Sequence, residues 1–329
     1  MVIVQVDAVP THDLCQRSDQ VRVRDESGVT PIAPPDETAT MTLDIVLGLN
    51  QPIDFTLPVV INSAVQNSRQ RETLRFNIVV PTGQTEHFQA LLETTFPSPQ
   101  FQWRLGTFQP SADLADYLAH KYSRDRGERL LGRFMQFSRV WLPQVFPDLT
   151  RILYFDTDVV LLEDPAILDQ QAGDFNDQIF FAAVPHSRPA WLYFKKPWRA
   201  HSYIKAMGTT FNSGVMVTDL RFWTEAVYQR IQAALDRDRQ FRYRFLEPGD
   251  EALLNACFPN YRALPKRWNR CGYGNARFVA RLLACDPQEA AIIHWSGGHH
   301  KPWNTHDIIY GDLWRRYANL PGLLLPNPI

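Results

Sequence analysis

The chain has 329 residues, of which 45% are apolar and 12% aromatic, and this composition supports one large α/β domain or two smaller ones. Its 34 lysines and arginines against 35 aspartates and glutamates leave a net charge of −1, which excludes a general attraction to nucleic acid or to an anionic membrane. The four cysteines form no C-x-x-C pair and no apolar run approaches the roughly 18 residues of a membrane span, so we expect a cytoplasmic protein with reduced thiols.

The start of the chain combines a short strand-like run, Met1–Val6, with a proline-rich stretch, Pro31–Pro35. Proline clusters of this kind are typical of loops and linkers. We therefore predict an N-terminal extension and linker over residues 1–40, to which we assign no chemistry.

The predicted domain begins with a βαβ unit. Thr42–Asn50 has the apolar run of a buried strand, Pro58 suits the first turn of a helix, and Leu74–Val80 is a second strand. Parallel α/β sheets bind ligands beyond the carboxyl ends of their strands. The segment Gly48–Asn50 therefore occupies a nucleotide-type position, whereas the absence of a G-x-G-x-x-G pattern gives no support to a dinucleotide.

Two features follow before the middle of the chain. The charged run Lys121–Arg129 is predicted to be a solvent-exposed face. Leu130–Leu142 has the apolar periodicity of an amphipathic helix that ends at Pro143. Arg139 lies on this helix and is either a surface or ion-paired arginine or a cation that binds a phosphate or a sugar. Taken alone, its position favours the first interpretation.

The central stretch, Arg151–Asp164, begins as a short apolar run of β-forming residues, which predicts a buried strand. Asp156 and Asp158 follow at its carboxyl end, where an uncompensated charge would be costly. Two carboxylates at this spacing can converge on a hard divalent cation, Mn²⁺ or Mg²⁺, if the chain turns between them. The alternative is a strand-end turn in which the aspartates cap the next element.

Phe180–Val184 is predicted to be another strand, and the segment Pro185–Thr210 that follows it is irregular and aromatic. A long aromatic connection above the carboxyl end of a sheet suits a sugar-binding loop or lid, and ordinary packing is the alternative. The aromatic residues of the segment are Trp191, Tyr193, Phe194, Trp198 and Tyr203.

Three polar motifs occur in the last third of the chain. Phe211–Leu220 carries an Asn-Ser-Gly turn that enters a buried strand. Asp250 lies in the first turn of a predicted helix, where the helix dipole stabilises acidic residues and where such residues also make an ordinary helix start. Ala291–Trp303 is a strand ending in His294, followed by a glycine loop with Lys301. A histidine in this position is either a buried core residue or a metal ligand.

In their order along the chain, these motifs resemble those of glycosyltransferase family 8, the retaining sugar-nucleotide transferases that include glycogenin, bacterial lipopolysaccharide galactosyltransferases and plant galacturonosyltransferase-like proteins. The D-x-D pair alone is a weak signal, whereas six motifs in the family's order are a strong one. The resemblance covers roughly residues 42–304. The six motifs are Phe137–Pro143, Leu153–Asp158, Phe211–Val215, Asp250–Phe258, Leu264–Asn269 and His294–Trp303.

The resemblance implies a GT-A fold over residues 41–304, that is, an α/β architecture with a Rossmann-like, mostly parallel sheet flanked by helices. A C-terminal tail would follow over residues 305–329. The resemblance also implies a UDP-sugar donor and Mn²⁺, with Mg²⁺ as a second possibility. The expected acceptor is a hydroxyl group of a carbohydrate, a glycolipid or another molecule.

Individual residues receive roles from the same resemblance. Three would bind the metal, namely Asp156, Asp158 and His294. Three would take part in catalysis, namely Glu251, Asp250 and Lys301, the last by stabilising charge on the departing UDP. The donor would be held by Gly48, Leu49 and Asn50 at the uracil and ribose, by Arg139, Asn212 and Asp250 at the sugar hydroxyls, by Gly298 and Lys301 at the diphosphate, and by Thr157 and Ser213 beside them.

Two departures from the family pattern concern the site. Glu251 stands where the family commonly has glutamine, and a carboxylate in that position can act as a nucleophile or stabilise an oxocarbenium-like ion. We hypothesise that it is an electrostatic stabiliser, and a transient covalent bond stays open. The glycine loop that follows the last strand differs in length from that of various relatives. This leaves open the choice between Gly297 and Gly298, and any role for His299 or His300.

The predicted function is retaining transfer of a sugar from a UDP-sugar to an acceptor hydroxyl. One alternative is a non-catalytic sugar-nucleotide or glycan-binding protein on the same fold, against which the intact predicted site argues. Another is a phosphatase of the haloacid dehalogenase type, whose nucleophile strand the Leu153–Val160 sequence resembles, although such a strand would begin the fold. The C-terminal Tyr310–Tyr317 and Leu320–Ile329 are predicted to pack on the domain, and the alternative is peripheral contact with a membrane surface.

Overall fold

The computed structural model describes residues 42–49, 54–186, 198, 201, 204–205, 208–247, 249–298 and 300–325. The predicted extension over residues 1–40 lies outside these ranges. So do four of the aromatic residues predicted to form a sugar-binding loop or lid, Trp191, Tyr193, Phe194 and Tyr203. The fifth, Trp198, is described and is 72% exposed.

The described residues form strands and helices that alternate through the first half of the chain. The strands are β1 (Leu43–Gly48), β2 (Leu74–Pro81), β3 (Gln102–Phe108), β4 (Arg151–Asp156), β5 (Val159–Leu161), β6 (Phe181–Pro185), β7 (Phe211–Asp219), β8 (Arg262–Ala263), β9 (Arg270–Cys271) and β10 (Ile292–His294). The α-helices are α1 (Thr56–Asn67), α2 (Thr85–Thr95), α3 (Ala112–Lys121), α4 (Gly127–Phe137), α5 (Leu142–Val145), α6 (Pro165–Ala172), α7 (Glu225–Gln240), α8 (Gly249–Cys257), α9 (Arg277–Leu283) and α10 (Gly311–Ala318).

Seven strands form one sheet in the order β3-β2-β1-β4-β7-β6-β8. The four strands from β3 to β4 are parallel to their neighbours, whereas β7 runs antiparallel to both β4 and β6. A smaller sheet has the order β5-β10-β9, with β10 antiparallel to β5 and parallel to β9. The predicted βαβ unit is therefore β1-α1-β2, and the predicted α/β class with a mostly parallel sheet is confirmed.

The central strands are apolar because both faces of the large sheet are covered. Successive side chains of a strand point to opposite faces. In β1, Ile45 and Leu47 therefore pack in one hydrophobic core and Val46 in the other, and in β4 Leu153 and Tyr154 divide in the same way. A polar side chain can reach solvent only where such a strand ends, and this places the chemistry at the strand ends.

A third core lies beside the small sheet and contains Trp295, Trp303 and Trp314. The last of these belongs to α10, which packs against α1. Asn62 Nδ2 donates a hydrogen bond of 2.8 Å to the Tyr317 carbonyl and joins the two helices. The helix predicted near the C-terminus thus contributes to a hydrophobic core.

One predicted helix ends early. The helix predicted over Leu130–Leu142 ends at Phe137, and Arg139 lies on the 3₁₀ turn Ser138–Val140 that follows it. The hydroxyl of Ser138 donates a hydrogen bond of 2.7 Å to the Met135 carbonyl. A serine hydroxyl that competes for backbone carbonyls in this way weakens a helix at that point, a local effect that the apolar periodicity does not register.

The prediction of a solvent-exposed face over Lys121–Arg129 is wrong at its first residue. The side chain of Lys121 is only 3% exposed, with its Nζ 2.7 Å from Asp238 Oδ2, and it also donates a hydrogen bond of 2.7 Å to the Leu246 carbonyl. Its partners lie more than a hundred residues further along the chain, so a local charge pattern could not identify them.

Among the described residues, no helix combines the length and the apolar character needed to cross a membrane. Cys257, Cys271 and Cys285 are free thiols. Burial raises the pKa of both Cys257 and Cys271 to about 12, which keeps these thiols protonated and unreactive near neutral pH.

Candidate active site

The site begins where β1 and β4 end side by side. Gly48 and Asp156 are register partners, so the last residues of these parallel strands are neighbours at the carboxyl edge of the sheet. A Cβ atom on Gly48 would lie 3.1 Å from Cζ of Tyr154 and still closer to its hydroxyl oxygen. Glycine is therefore the residue that lets β1 pass this buried tyrosine.

Asp158 and His294 lie beside and in the small sheet, because Asp158 is in the turn that leads into β5 and His294 ends β10. β10 ends at His294, opposite Val159 of β5, and the Trp295 amide donates a hydrogen bond of 3.0 Å to the Asp158 carbonyl. His294 Nε2 lies 3.1 Å from Asp158 Oδ1 and 3.9 Å from Asp156 Oδ2. Ligand atoms from the three residues lie within 4.8 Å of one another, and all three residues are buried.

This cluster brings an imidazole nitrogen and carboxylate oxygens together. His294 Nδ1 lies 2.9 Å from Asn269 Oδ1, which only accepts hydrogen bonds, so Nδ1 carries a proton and the lone pair of the neutral ring is on Nε2. Asp158 Oδ1 is buried and accepts no hydrogen bond from any described residue. Nε2 and this oxygen lie 3.1 Å apart, and a proton or a metal ion shared by the two atoms would satisfy both. Carboxylate oxygens with one imidazole nitrogen fit a divalent metal such as Mn²⁺.

Lys301 pairs with the other oxygen of Asp158. Its Nζ donates hydrogen bonds of 2.6 Å to Asp158 Oδ2 and to the Trp295 carbonyl. Burial by itself would raise the pKa of Asp158, but the charges of Lys301 and His294 and their hydrogen bonds together outweigh it and hold that pKa well below the usual range. Asp158 is therefore an anion near neutral pH, with one oxygen bound to Lys301 and the other facing His294.

Arg139 joins the metal-ligand cluster to the start of α8. Nη2 donates to Asp156 Oδ1 at 2.8 Å, Nε lies 3.0 Å from Asp250 Oδ2, and Nη1 donates to the Ser213 carbonyl at 2.9 Å. Burial opposes the charge, but Asp156 and Asp250 outweigh it and raise the pKa of Arg139. Arg139 is thus the ion-paired arginine of the first interpretation, and it also lines the cleft described below.

Asp250 and Glu251 occupy the first turn of α8. Asn212 Nδ2 donates a hydrogen bond of 2.7 Å to Glu251 Oε2, which holds the carboxylate toward the same cleft. Burial raises the pKa of Asp250 to about 6, with Arg139 acting against this change and Asp156 and Glu251 adding to it. The charge of Asp250 therefore changes in the mildly acidic range.

Gly214 lets β7 pass directly beside the metal-ligand cluster. A Cβ atom at this position would lie 2.7 Å from Asp156 Oδ2 and 3.1 Å from His294 Nε2, and closer still to His294 Cε1. Any side chain larger than hydrogen would therefore displace a carboxylate and an imidazole that face each other.

These side chains line one open cleft with a volume of about 1390 Å³. Ligand pockets commonly measure about 300–1,000 Å³, so this cleft has room for two ligands side by side. Its lining includes Asp125, Glu128 and Arg129 of the charged run predicted to be a solvent-exposed face. Among the described residues, six carboxylates and six cationic side chains line the cleft, so their formal charges balance. The carboxylates are Asp125, Glu128, Asp156, Asp158, Asp250 and Glu251, and the cations are Arg129, Arg133, Arg139, Lys266, Arg270 and Lys301.

The structure brings most of the predicted site residues into this cleft. The exceptions among the described residues are Gly48 and Thr157, which are buried and do not line the cleft, and Leu49, which is 0% exposed and packs in the hydrophobic core. Asn50 and His299 lie outside the described residues. The predicted residues that line the cleft are Arg139, Asp156, Asp158, Asn212, Ser213, Asp250, Glu251, His294, Gly298 and Lys301.

Asn269 and Gly214 are two residues of the site for which the sequence predicts no role. Asn269 is 2% exposed, and its Nδ2 donates a hydrogen bond of 2.9 Å to Asn212 Oδ1. The available signal was its place as the last residue of the Leu264–Asn269 motif, next to an aromatic residue that anchors the turn. The signal for Gly214 was its place in the Asn-Ser-Gly turn.

The family model described as glycosyl transferase family 8 matches residues 44–307 of this sequence. The chain belongs to glycosyltransferase family 8. Among curated relatives of this family 8 protein, Probable galacturonosyltransferase-like 4 of Arabidopsis thaliana is 25% identical over 270 residues, which span 78% of this chain and 72% of the relative.

Solved structures give the same fold for this family 8 chain. A structure of an active-site glutamine-to-glutamate mutant of LgtC matches with a TM-score of 0.63 and 18% identity, over 86% of this chain and 98% of that chain. A second LgtC structure, a galactosyltransferase in complex with donor and acceptor sugar analogs, matches with a TM-score of 0.60 and 18% identity, over 84% and 95% of the two chains. The predicted GT-A fold is confirmed, and the protein is a glycosyltransferase.

Proposed function

We propose that this glycosyltransferase moves a sugar, with retention of configuration at the anomeric carbon, from a UDP-sugar to an acceptor hydroxyl in the presence of Mn²⁺ or Mg²⁺. The observation that carries the proposal is the buried cluster of Asp156, Asp158 and His294, in which Asp158 Oδ1 and His294 Nε2 face each other at 3.1 Å. A cation held there has ligand positions left for other oxygens, and the diphosphate of a sugar nucleotide supplies them.

Asp156, Asp158 and His294 are the proposed metal ligands. The cation would neutralise negative charge on the donor diphosphate. The chain prepares the three ligands with its own contacts. Arg139 holds one oxygen of Asp156, and Asn269 holds the protonated nitrogen of His294, so that Nε2 faces the carboxylates.

Lys301 is proposed to stabilise the charge that develops on UDP as it departs. It is 7% exposed and already lies beside the metal-ligand cluster, through its hydrogen bond with Asp158. A Cβ atom on Gly298 would meet no atom within 4 Å, so the loop there leaves space for phosphate oxygens. The uracil and ribose would lie at Gly48, Leu49 and Asn50, beyond the end of β1.

Arg139, Asn212 and Asp250 are proposed to bind the hydroxyl groups of the donor sugar, with Thr157 and Ser213 supporting the donor site. Both a cation and a carboxylate are available there, because Arg139 and Asp250 lie together at 3.0 Å on the wall of the cleft. A sugar hydroxyl can donate to the carboxylate and accept from the guanidinium at the same time. This pairing would orient the sugar relative to Glu251.

Glu251 is proposed to stabilise the positive charge that develops at the anomeric carbon. Asn212 holds the carboxylate with a hydrogen bond of 2.7 Å, so the group does not need to reorganise during the reaction. In Glu251→Gln an amide oxygen can still accept this hydrogen bond, but the negative charge is lost. Turnover should then fall by about a hundredfold, with little change in donor affinity. Equal turnover in the two proteins would remove Glu251 from the chemistry.

The main test measures UDP-sugar binding by calorimetry and UDP release, across a panel of UDP-sugars, with Mn²⁺, with Mg²⁺ and with a chelator. Asp158→Asn removes the metal-ligand charge at constant size. Asp164→Asn is the matched control, because Asp164 is a buried aspartate that caps α6 outside the cleft.

We expect one UDP-sugar to bind and to release UDP only with metal, and expect Asp158→Asn, but not Asp164→Asn, to abolish both. Binding without UDP release calls for acceptors to be added to the same assay. An absence of binding by any UDP-sugar, with metal present and the protein folded, would contradict the proposal.

A further inference from the structure

A continuous chain of hydrogen bonds runs through the site from His294 to Glu251. His294 Nδ1 donates to Asn269 Oδ1 at 2.9 Å, Asn269 Nδ2 donates to Asn212 Oδ1 at 2.9 Å, and Asn212 Nδ2 donates to Glu251 Oε2 at 2.7 Å. The residues at the two ends belong to different elements, β10 and α8. Two asparagine side chains thus connect the proposed metal ligand with the proposed reaction centre.

One backbone amide determines which groups donate and which accept along this chain of hydrogen bonds. The Gly214 N–H can only donate, and its acceptor is Asn212 Oδ1 at 3.1 Å, so the amide oxygen of Asn212 must point toward Gly214. Asn269 must then present its NH₂ group to that oxygen and its own oxygen to His294. An amide oxygen can only accept, so His294 carries a proton on Nδ1, and Nε2 is the nitrogen whose lone pair a metal ion would use.

Asn269 is held rigidly in this position. It ends the 3₁₀ turn Lys266–Asn269, whose Trp268 is fully buried and donates a hydrogen bond of 2.6 Å to Gln171 Oε1. The next residues form β9, which pairs with β10 so that Cys271 lies opposite His294. The turn, the buried tryptophan and the paired strand therefore keep the Asn269 amide in register with the histidine.

We propose that Asn269 is the positioning residue of this site: it sets the tautomer of His294 for metal binding and, through Asn212, the orientation of Glu251 for turnover. This inference rests on the proposed function. Partners of this kind, one step removed from a metal-binding histidine, typically change metal affinity by about 10- to 100-fold when they are removed.

Two substitutions of Asn269 separate its hydrogen bond with His294 from its hydrogen bond with Asn212. Asn269→Ala removes both hydrogen bonds, so Mn²⁺ affinity should fall about 10- to 100-fold. Asn269→Asp keeps an acceptor for His294 Nδ1 but cannot donate to Asn212, and two oxygens would then face each other. This variant should bind Mn²⁺ at least as tightly as the parent protein and lose at least tenfold in kcat with a smaller change in KM.

The first measurement is Mn²⁺ affinity, by calorimetry on donor-free protein, with Asn62→Ala as the matched control. Asn62 is also a buried asparagine, and it bonds the Tyr317 carbonyl outside the cleft. The second measurement is the ¹⁵N NMR spectrum of the metal-free protein at pH 8, with the His294 signal identified from its loss in His294→Gln. We expect the Nδ1–H tautomer in the parent protein and in Asn269→Asp, and a mixture in Asn269→Ala.

The outcomes distinguish this inference from the proposed function. If the parent protein binds no divalent metal, the proposed function fails. If the parent protein binds Mn²⁺ and Asn269→Ala binds it equally well with an unchanged tautomer, only the role of Asn269 toward His294 fails. If Asn269→Asp has the kcat of the parent protein, the proposed effect of Asn269 on Glu251 is wrong. This variant also keeps the test decisive if Asn269→Ala does not fold.

Discussion

The closeness of β7 to the metal-ligand cluster leads to a prediction for Gly214→Ala. The new Cβ would lie 2.7 Å from Asp156 Oδ2, whereas ordinary van der Waals contact begins at 3.4 Å. The carboxylate or the strand must therefore move by about 0.7 Å, and the ring of His294 must move with it. Metal sites require ligand distances within about 0.2 Å of their preferred values, so this displacement exceeds what coordination allows.

The cost of such overpacking is about 1–3 kcal/mol. If the cost falls on the metal-bound state, it weakens binding by about ten- to a hundredfold, since each 1.4 kcal/mol is a factor of ten. We therefore expect Gly214→Ala to fold and to bind Mn²⁺ one to two orders of magnitude more weakly. The assay is a calorimetric Mn²⁺ titration of donor-free protein, together with a melting curve recorded in chelator.

Gly106→Ala is the matched control for this prediction. A Cβ atom there would lie 2.5 Å from Phe146 Cε1 and 2.7 Å from Val145 Cγ1, so the clash is similar, but it occurs on β3 and outside the cleft. This variant should lose stability and retain Mn²⁺ affinity. If Gly214→Ala lowers the melting temperature like Gly106→Ala and still binds Mn²⁺ as tightly as the parent protein, the steric reasoning about the cluster is wrong.

Two further predictions concern buried charges. The pKa of Asp250, raised to about 6, lies above its unfolded value, so the folded state binds the proton more tightly and the free energy of unfolding falls as pH rises from about 4 to about 6. At 1.36 kcal/mol per pH unit this contribution is about 3 kcal/mol at most. The pH dependence should be absent when metal-free Asp250→Asn is unfolded with urea. Parallel pH profiles for the parent protein and the variant would contradict the raised pKa of Asp250. Lys121→Met leaves the buried Asp238 carboxylate without its cation and should lower the free energy of unfolding in urea by about 3–5 kcal/mol. The double variant with Asp238→Asn should recover part of this loss. An unchanged urea midpoint in Lys121→Met would refute the prediction.

Patterns that depend on neighbouring residues were predictable from the sequence. The strands around Ile45, Phe76 and Leu153 and the acidic first turn at Asp250 follow from apolar periodicity and helix-end preferences, and all of them are present. The carboxylates of Asp156 and Asp158 were recognisable because a charge at the end of a buried strand needs a partner.

Features that depend on distant contacts were not predictable in the same way. The burial of the Lys121 side chain requires Asp238, and the proposed role of Asn269 requires His294 and Asn212, which adjoin it only once β7 is in the large sheet and β10 is in the small one. The steric need for Gly214 is equally invisible in a single sequence, because the atoms that a side chain would meet come from two other strands. Periodicity reports which face a residue occupies but not which residue faces it.

The contacts that build the two halves of the site, around Arg139 and around Lys301, differ greatly in sequence separation. Arg139 and Asp156 are 17 residues apart, whereas Asp158 and Lys301 are 143 residues apart. The first contact can form early in folding, but the second requires the segment from β10 to Lys301 to dock onto β5, a late and entropically expensive step. Whatever binds between the halves stabilises that docked state by mass action and opposes its local opening. Ligand binding should therefore protect this C-terminal segment from proteolysis and hydrogen exchange more than it protects the parallel core.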